Sequence, residues 1–222
     1  MIPAGAVAGI TRENLQRRVL VTLRRGSWKS PDVLLVEADG GRAVVKDYAP
    51  RARPLRATVG RLLIRRELAI YRALAGLPEI PRLHGRIDGF AFVIEHRGGV
   101  RITGRRPWTF SPAFVRALRT AVAGLHARGV VHLDLSHRSN VRAAPDGSPV
   151  LIDFESALHF RAGSLASRTL LPLLRKVDER ALAKWAKLVA GASRPAKPVS
   201  PAAPRRAGAA PDAPRSAGSC PG

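Results

Sequence analysis

Two polar clusters on either side of a hairpin pattern constrain this chain more than any other feature. Val130-Val131-His132-Leu133-Asp134-Leu135-Ser136-His137-Arg138-Ser139-Asn140 is followed, after a short interval, by Val150-Leu151-Ile152-Asp153-Phe154-Glu155. In the interval, Val141-Arg142-Ala143-Ala144 forms one arm, Pro145-Asp146-Gly147-Ser148 the turn and Pro149-Val150-Leu151-Ile152 the other arm. Asp-Gly between two such runs is a strong hairpin signal. Paired arms would leave Asn140 and Asp153 side by side at the open end, about 5 Å apart at Cα. An amide oxygen and a carboxylate are hard ligands. They suit Mg²⁺, which takes few protein ligands and completes its shell with water and phosphate.

Three more residues fit a metal–nucleotide site. Asp134 lies six residues before Asn140, and a carboxylate beside a bound cation can orient an attacking hydroxyl or accept its proton. Lys46 ends the apolar strand pattern Arg42-Ala43-Val44-Val45-Lys46, after the turn Asp39-Gly40-Gly41 and a preceding strand Asp32–Glu37. Alternation puts Lys46 on the face of Val44. By itself a lysine at the end of an apolar strand usually just snorkels to water. Glu67 weighs against that. The spacing predicts a helix over Thr58–Leu77 with Leu63, Ile70 and Leu74 as its apolar stripe and Glu67 inside the stripe. A carboxylate there is costly unless paired. Glu67 either reaches solvent at the edge of the stripe, pairs with a nearby arginine, or pairs with Lys46, which it would aim at phosphates.

Strand lysine, helix glutamate, loop aspartate, asparagine and post-hairpin aspartate occur in that order, and with them the chain resembles the protein-kinase-like superfamily. More narrowly, it looks like the small bacterial RIO-like and lipopolysaccharide-core-kinase-like members, over roughly Trp28–Leu158. The resemblance implies an α+β, two-lobed protein-kinase-like fold, with a small antiparallel sheet in the N-lobe and a short, mainly helical C-lobe. It implies ATP and Mg²⁺ as cofactors. Lys46 would contact phosphates with Glu67 as its partner, Asp134 would be the catalytic-loop base, and Asn140 and Asp153 the metal ligands. His132 would brace the loop, and Glu95-His96-Arg97 would form the hinge beside the adenine, served mostly by backbone groups.

The departures from the family pattern carry information. Leu133 stands where the catalytic loop usually has arginine, so no phosphorylated activation loop would be read. Asn140 comes one residue later than usual, as in the small bacterial families. Asp153-Phe154-Glu155 replaces Asp-Phe-Gly, and Glu155 lacks the glycine freedom at φ > 0 that a flipping segment needs. No Gly-rich loop precedes Lys46; Arg24-Arg25-Gly26-Ser27-Trp28-Lys29-Ser30 is the nearest material, and either its single glycine and basic side chains cover the phosphates or Gly26 is an ordinary turn. The absence of Ala-Pro-Glu removes the usual protein-substrate platform. It favours a small-molecule, glycan or lipid-linked acceptor, with a protein Ser/Thr hydroxyl as the other choice. These departures also leave open a catalytically weak ATP-binding module.

Charge is the second constraint. Lys and Arg number 38 against 16 Asp and Glu, a net charge of +22. This is either compositional bias or the mark of an anionic partner: a phosphorylated glycolipid, a membrane surface or nucleic acid. With 5% aromatic residues and no reader motif, nucleic acid is the least favoured. Arg51, Arg53, Arg56 and Arg61 crowd the approach to the Glu67 helix, and Arg97, Arg101, Arg105 and Arg106 form a second basic group. One cysteine, Cys220, permits no internal disulfide and fits a reducing compartment. Six histidines without zinc spacing argue against a zinc site. Without a signal-peptide pattern or a membrane-spanning apolar run, the expected location is cytoplasmic, with contact at the inner face of a membrane. Oligomeric state is left open.

The chain divides into an N-terminal extension (1–27), an N-lobe (28–96), a C-lobe (97–190) and a Pro/Ala/Arg tail (191–222) expected to be disordered. Residues 1–9 are expected to be loose, and Thr11 to cap a short helix through about Leu23. A hairpin is expected across Arg86–Asp88 and Ala91–Glu95. Ser111-Pro112 opens a helix with Phe114, Leu118, Val122 and Leu125 on its apolar face, ended by Gly129. His126 packs or faces solvent, while His137 and Arg138 either approach the transferred phosphoryl group or are solvated. Leu165–Val189 alternates leucines with Arg and Lys, and Pro172 argues for two or three helices rather than one. That segment reads as the remaining core or as a basic amphipathic surface.

Overall fold

The Asp-Gly signals close the hairpins where expected. In the computed structural model, which describes residues 9–27, 30–101 and 111–192, strands β2 (Asp32–Ala38) and β3 (Gly41–Asp47) pair antiparallel across the Asp39-Gly40 turn. β8 (Val141–Ala143) and β9 (Pro149–Leu151) pair across Asp146-Gly147, with Val141 opposite Leu151. Gly147 has φ +81°, the left-handed conformation such a turn demands. The register sets Asn140 opposite Ile152, whose N–H donates to the Asn140 carbonyl at 3.0 Å. Asp153 therefore lies one residue beyond the pair, rather than directly across from Asn140.

The fold is α+β. β1 (Val19–Arg24), β2, β3, β4 (Leu83–Arg86) and β5 (Ala91–Glu95) form a five-stranded antiparallel sheet in the order β1-β2-β3-β5-β4. The N-terminal helix expected through Leu23 stops early. α1 spans only Leu15–Arg18, and Val19–Arg24 joins the sheet as an edge strand. The run Val19-Leu20-Val21-Thr22-Leu23 is rich in β-branched residues, and that preference overrides the helical reading. The sheet thus takes in residues assigned above to an N-terminal extension.

One sheet face, with Leu34, Val36, Ala43, Val45 and Val93, is covered by Ile10 and Leu15. Arg12 fastens this cover, pairing with buried Asp47 and with Asp88 at 2.7 Å each. The other face, with Val44, Phe92 and Ile94, packs on α3 (Arg61–Ala73) and joins the main core. A short helix α2 (Arg53–Leu55) and a wide turn (Arg56–Gly60) precede α3, so helical structure begins before Thr58 and ends before Leu77. The buried side of α3 is Ile64, Glu67, Leu68, Ile70 and Tyr71, with Leu63 at its margin.

Beyond the sheet, α4 (Pro112–Ala127) has the expected start: Ser111 Oγ accepts the Phe114 N–H at 3.1 Å, and Pro112 occupies the first turn. Gly129, at φ +72°, turns the chain into β7 (Val130–Val131); a Cβ there would meet the Phe160 carbonyl oxygen at 2.4 Å. β6 (Val100–Arg101) extends the β8–β9 hairpin, and β10 (Leu158–His159) pairs with β7.

The region after Ser156 holds one long helix, α5 (Leu165–Ala192), in place of the two or three expected. Pro172 does not break it. Proline removes one helical hydrogen bond and costs about 3 kcal/mol in a helix interior. Here Pro172 is exposed, between exposed Leu170 and Leu173. The C-terminal half is anchored through buried Asp178, Ala181, Leu182, Trp185 and Val189, and that burial offsets the cost. The helix also runs to Ala192, past the expected tail boundary at Gly191. Expectations for the loose N-terminus (1–8), Trp28, Lys29, Arg105, Arg106, and the tail beyond 192 with Cys220 lie outside the described residues.

Candidate active site

Lys46 is buried on the face of β3 that turns toward α3. Its Nζ donates to Glu67 Oε1 at 2.6 Å and to Asp153 Oδ1 at 2.9 Å. The strand lysine, the helix carboxylate and the carboxylate after the hairpin therefore meet at one ammonium. Glu155 approaches the same nitrogen at 3.5 Å. Burial opposes the Lys46 charge, but Glu67, Asp153 and Glu155 outweigh it and hold its pKa well above the ordinary lysine value. Glu67 is pushed up by burial, because it shares this one cation with its acidic neighbours. Asp153 resists burial through Lys46 and Arg24 and stays below the usual carboxylate range.

Arg24, at the end of β1, belongs to the basic stretch expected over the phosphates, but its contacts with carboxylates of the site are not part of that expectation. It reaches Asp153 Oδ2 at 3.3 Å and pairs with Glu155. Arg66 of α3 donates to the Glu155 carbonyl at 2.5 Å. A cavity of about 280 Å³ opens beside these groups, lined by Ser30, Tyr48, Leu63, Arg66, Glu67 and Glu155.

Asp134 and Asn140 form the second cluster. Asn140 Nδ2 donates to Asp134 Oδ2 at 2.8 Å and to the Asp134 carbonyl at 3.0 Å. This amide fixes the loop and the carboxylate together, and leaves the amide oxygen with Ser139 Oγ at 3.2 Å. The two clusters are joined through Ile152, whose N–H meets Asn140 and whose carbonyl meets His132 Nε2 at 3.2 Å. His132 is fully buried, and burial lowers its pKa, so its ring is neutral. It packs on Phe154 with centroids 4.9 Å apart, and Phe154 on Tyr71 at 5.3 Å. Tyr71 in turn meets Phe92 of β5 at 6.0 Å. A continuous row of rings thus runs from sheet to loop.

Asp178 of α5 is the anchor that the sequence reading missed. Wholly buried, it accepts the His132 N–H at 2.9 Å, the Leu133 N–H at 2.8 Å and meets His126 Nε2 at 3.0 Å. Trp185 Nε1 adds a bond to the Leu135 carbonyl at 2.9 Å. These bonds hold Leu133 at φ +66°. Leu133 and Asp153, at φ +65°, are the two non-glycine residues with positive φ among those described. Such conformations cost about 1–3 kcal/mol each and cluster where a site over-determines the backbone.

Glu95 stands apart. Its carboxylate accepts the Arg82 N–H at 3.1 Å and faces Arg82 Nε at 3.5 Å, on a separate hollow shared with Arg42, His84 and His96. Its side chain is committed to that contact. His137 pairs with Ser139 at 2.6 Å, and both His137 and Arg138 are exposed. His126 does pack, against Asp178 and α5.

Among the described residues, no group of three or more His, Cys, Asp or Glu is arranged to hold a metal. The donors that would serve a divalent cation are the Asp153 carboxylate and Asn140 Oδ1. An oxygen pair completed by water and phosphate suits Mg²⁺ rather than zinc. No helix among the described residues is long and apolar enough to cross a membrane. No protein-family model matches the chain, and no curated protein matches it.

Proposed function

We propose that the chain is an ATP- and Mg²⁺-dependent kinase with a two-lobed, protein-kinase-like architecture. β1–β5 with α3 would be the nucleotide-covering lobe, and α4, α5 and the short sheets the catalytic lobe. One observation carries the reading: Lys46 is held between Glu67, on the neighbouring helix, and Asp153, more than a hundred residues further along the chain. A buried ammonium gripped on two sides is fixed in place, as a cation that contacts a phosphate chain must be.

In this mechanism Lys46 binds nucleotide phosphates, and Asn140 and Asp153 hold Mg²⁺, which supplies neutralisation of phosphate charge. Asp134, fixed by Asn140, orients the acceptor hydroxyl and takes its proton. The acceptor oxygen forms its bond to the γ-phosphorus as the bond to the bridging oxygen breaks, and ADP leaves with that electron pair. Most of the acceleration comes from positioning and charge stabilisation. The acceptor is a sugar hydroxyl of a lipopolysaccharide-type glycan or a protein Ser/Thr.

The test is transfer of γ-labelled phosphate from ATP to a membrane extract and to a protein extract. Label should enter one fraction, and Asp134→Asn or Asp153→Ala should abolish it while leaving the fold intact. Transfer that survives either substitution removes the assignment. A second reading, a weakly active ATP-binding module, is favoured by the engagement of both Asp153 oxygens by Lys46 and Arg24. Mg²⁺-dependent ATP binding without turnover would select it.

A further inference from the structure

α5 has two faces with different tasks. Leu171, Asp178, Leu182, Trp185 and Val189 follow one helical stripe and are buried. On the opposite side, Leu173, Val177, Arg180 and Lys184 recur at i, i+4, i+7 and i+11 and are exposed. Leu173 is 58% exposed and its flanking neighbour Leu170 49%. Lys176 and Lys187 border the stripe on its other side and are exposed too. The acidic residues of α5 lie elsewhere: Asp178 is buried, and Glu179 falls off this face. Among the described residues, none of Lys176, Arg180, Lys184 and Lys187 is within ion-pair distance of a carboxylate.

Three apolar side chains set in water beside four unpaired cations are costly for a surface with no other duty. We propose that this face of α5 docks on an anionic lipid surface, with Leu170, Leu173 and Val177 entering the headgroup–acyl boundary and the cations resting on the headgroups. An apolar strip bordered by Lys and Arg is the composition that lies in a bilayer interface. A second copy of the chain is a poor occupant, because a self-complementary contact would face these cations with their own kind. Nucleic acid gives the leucines nothing to bury against. The chain that follows, with Arg194, Lys197, Arg205, Arg206 and Arg215 against Asp212, carries the same sign.

The inference is independent of the kinase reading, but the two meet at Asp178. The same helix that touches lipid on one side holds the His132 and Leu133 amides on the other. Docking would set the catalytic loop at a fixed orientation to the surface, as an acceptor embedded there requires.

The experiment is co-sedimentation of the full chain with vesicles of phosphatidylcholine alone and of phosphatidylcholine with about one-third phosphatidylglycerol. At 0.15 M salt, a Debye length of about 8 Å still leaves headgroup attraction in force. The expected result is binding to the anionic vesicles and at least tenfold less to the neutral ones. Leu170→Ser/Leu173→Ser/Val177→Ser, which alters exposed positions only, should weaken binding at least tenfold with unchanged melting temperature. Lys176→Gln/Arg180→Gln/Lys184→Gln should weaken it similarly and flatten its salt dependence. No binding to anionic vesicles would overturn the proposal. So would binding by both variants as tight as that of the unaltered chain, which would assign the attraction to the basic tail, or binding to duplex DNA in preference to vesicles and indifferent to the leucine changes.

Discussion

Lys46 Nζ lies 2.6 Å from Glu67 Oε1, and both side chains are about 4% exposed. Two charges so deeply buried have lost their hydration, and only mutual contact and the neighbouring carboxylates compensate. Removing Lys46 leaves Glu67 charged and unpaired, at a cost of about 3–5 kcal/mol, whereas removing Glu67 leaves Lys46 still held by Asp153 at 2.9 Å. Lys46→Met should therefore lower stability by several kcal/mol in chemical denaturation, and Glu67→Gln by less. The double variant Lys46→Met/Glu67→Leu should regain most of the Lys46→Met loss, because it leaves no buried charge at the pair. Phosphoryl transfer should be absent from the double variant despite its stability. If the double variant is as unstable as Lys46→Met, the pair is not the electrostatic unit described.

Asp178 is expected to behave as a support for the loop that runs from His132 to Asn140. It accepts two backbone amides, from His132 and Leu133, and Leu133 keeps its positive φ only while those amides are held. Asp178→Ala strips both buried donors of their partner, at about 1–3 kcal/mol each. The expected outcome is a melting temperature lower by several degrees, together with faster hydrogen exchange at His132 and Leu133. Asp178→Asn keeps one acceptor oxygen and should fall between wild type and alanine. Unchanged exchange at Leu133 in the alanine variant would rule out this supporting role.

Asp178 also shows what the sequence could have revealed and did not. Glu67 drew notice because an acid inside an apolar stripe demands a partner. Asp178 sits in the same kind of stripe, between Leu174 and Leu182 with Trp185 a turn further. The signal was equal in strength, but Pro172 suggested a broken helix and hid the periodicity. The hairpins were legible because Asp-Gly acts locally. The Lys46–Glu67 pair was legible because a carboxylate inside an apolar helix stripe demands a partner; the hydrogen bond from Asn140 to Asp134 was not, because Asn140 reads there as a metal ligand beside Asp153. Arg24 was legible only as one of the basic residues near the phosphates. Its contacts to Asp153 and Glu155 span 129 and 131 residues, and nothing near Arg24 in the sequence points across that distance. Its strand was itself read as a helix, so its position on the sheet edge could not follow.

Tyr71 offers a prediction of opposite sign. Its ring is packed between Phe92 and Phe154, but its buried hydroxyl has no hydrogen-bond partner among the described residues. A buried hydroxyl without a partner costs about 1–3 kcal/mol. Burial also pushes its pKa up strongly, so it stays protonated. Tyr71→Phe removes the orphaned group and retains the ring. It should leave stability unchanged or raise it by about 1 kcal/mol in urea denaturation. A loss of 2 kcal/mol or more would mean that the hydroxyl is bonded, with an ordered water as its partner.

His132 makes stability depend on pH in a stated direction. Burial lowers its folded pKa below the ordinary value of 6.5, so the folded ring is neutral where the unfolded ring takes up a proton. The unfolded state therefore binds more protons as pH falls below 6.5, and stability must fall with it, by at most about 1.4 kcal/mol per pH unit for one full proton. Above that range the term is constant. His84 and His96 are lowered by burial too and act in the same sense, though both are less enclosed. Melting temperature should drop between pH 7 and pH 5. His132→Gln, which cannot titrate, should reduce that slope even though it loses the packing on Phe154 and is less stable throughout. Comparing slopes rather than midpoints separates titration from packing. A slope identical in the two proteins would mean that His132 does not titrate with unfolding, and would take the neutral, loop-bracing ring out of the description of the site.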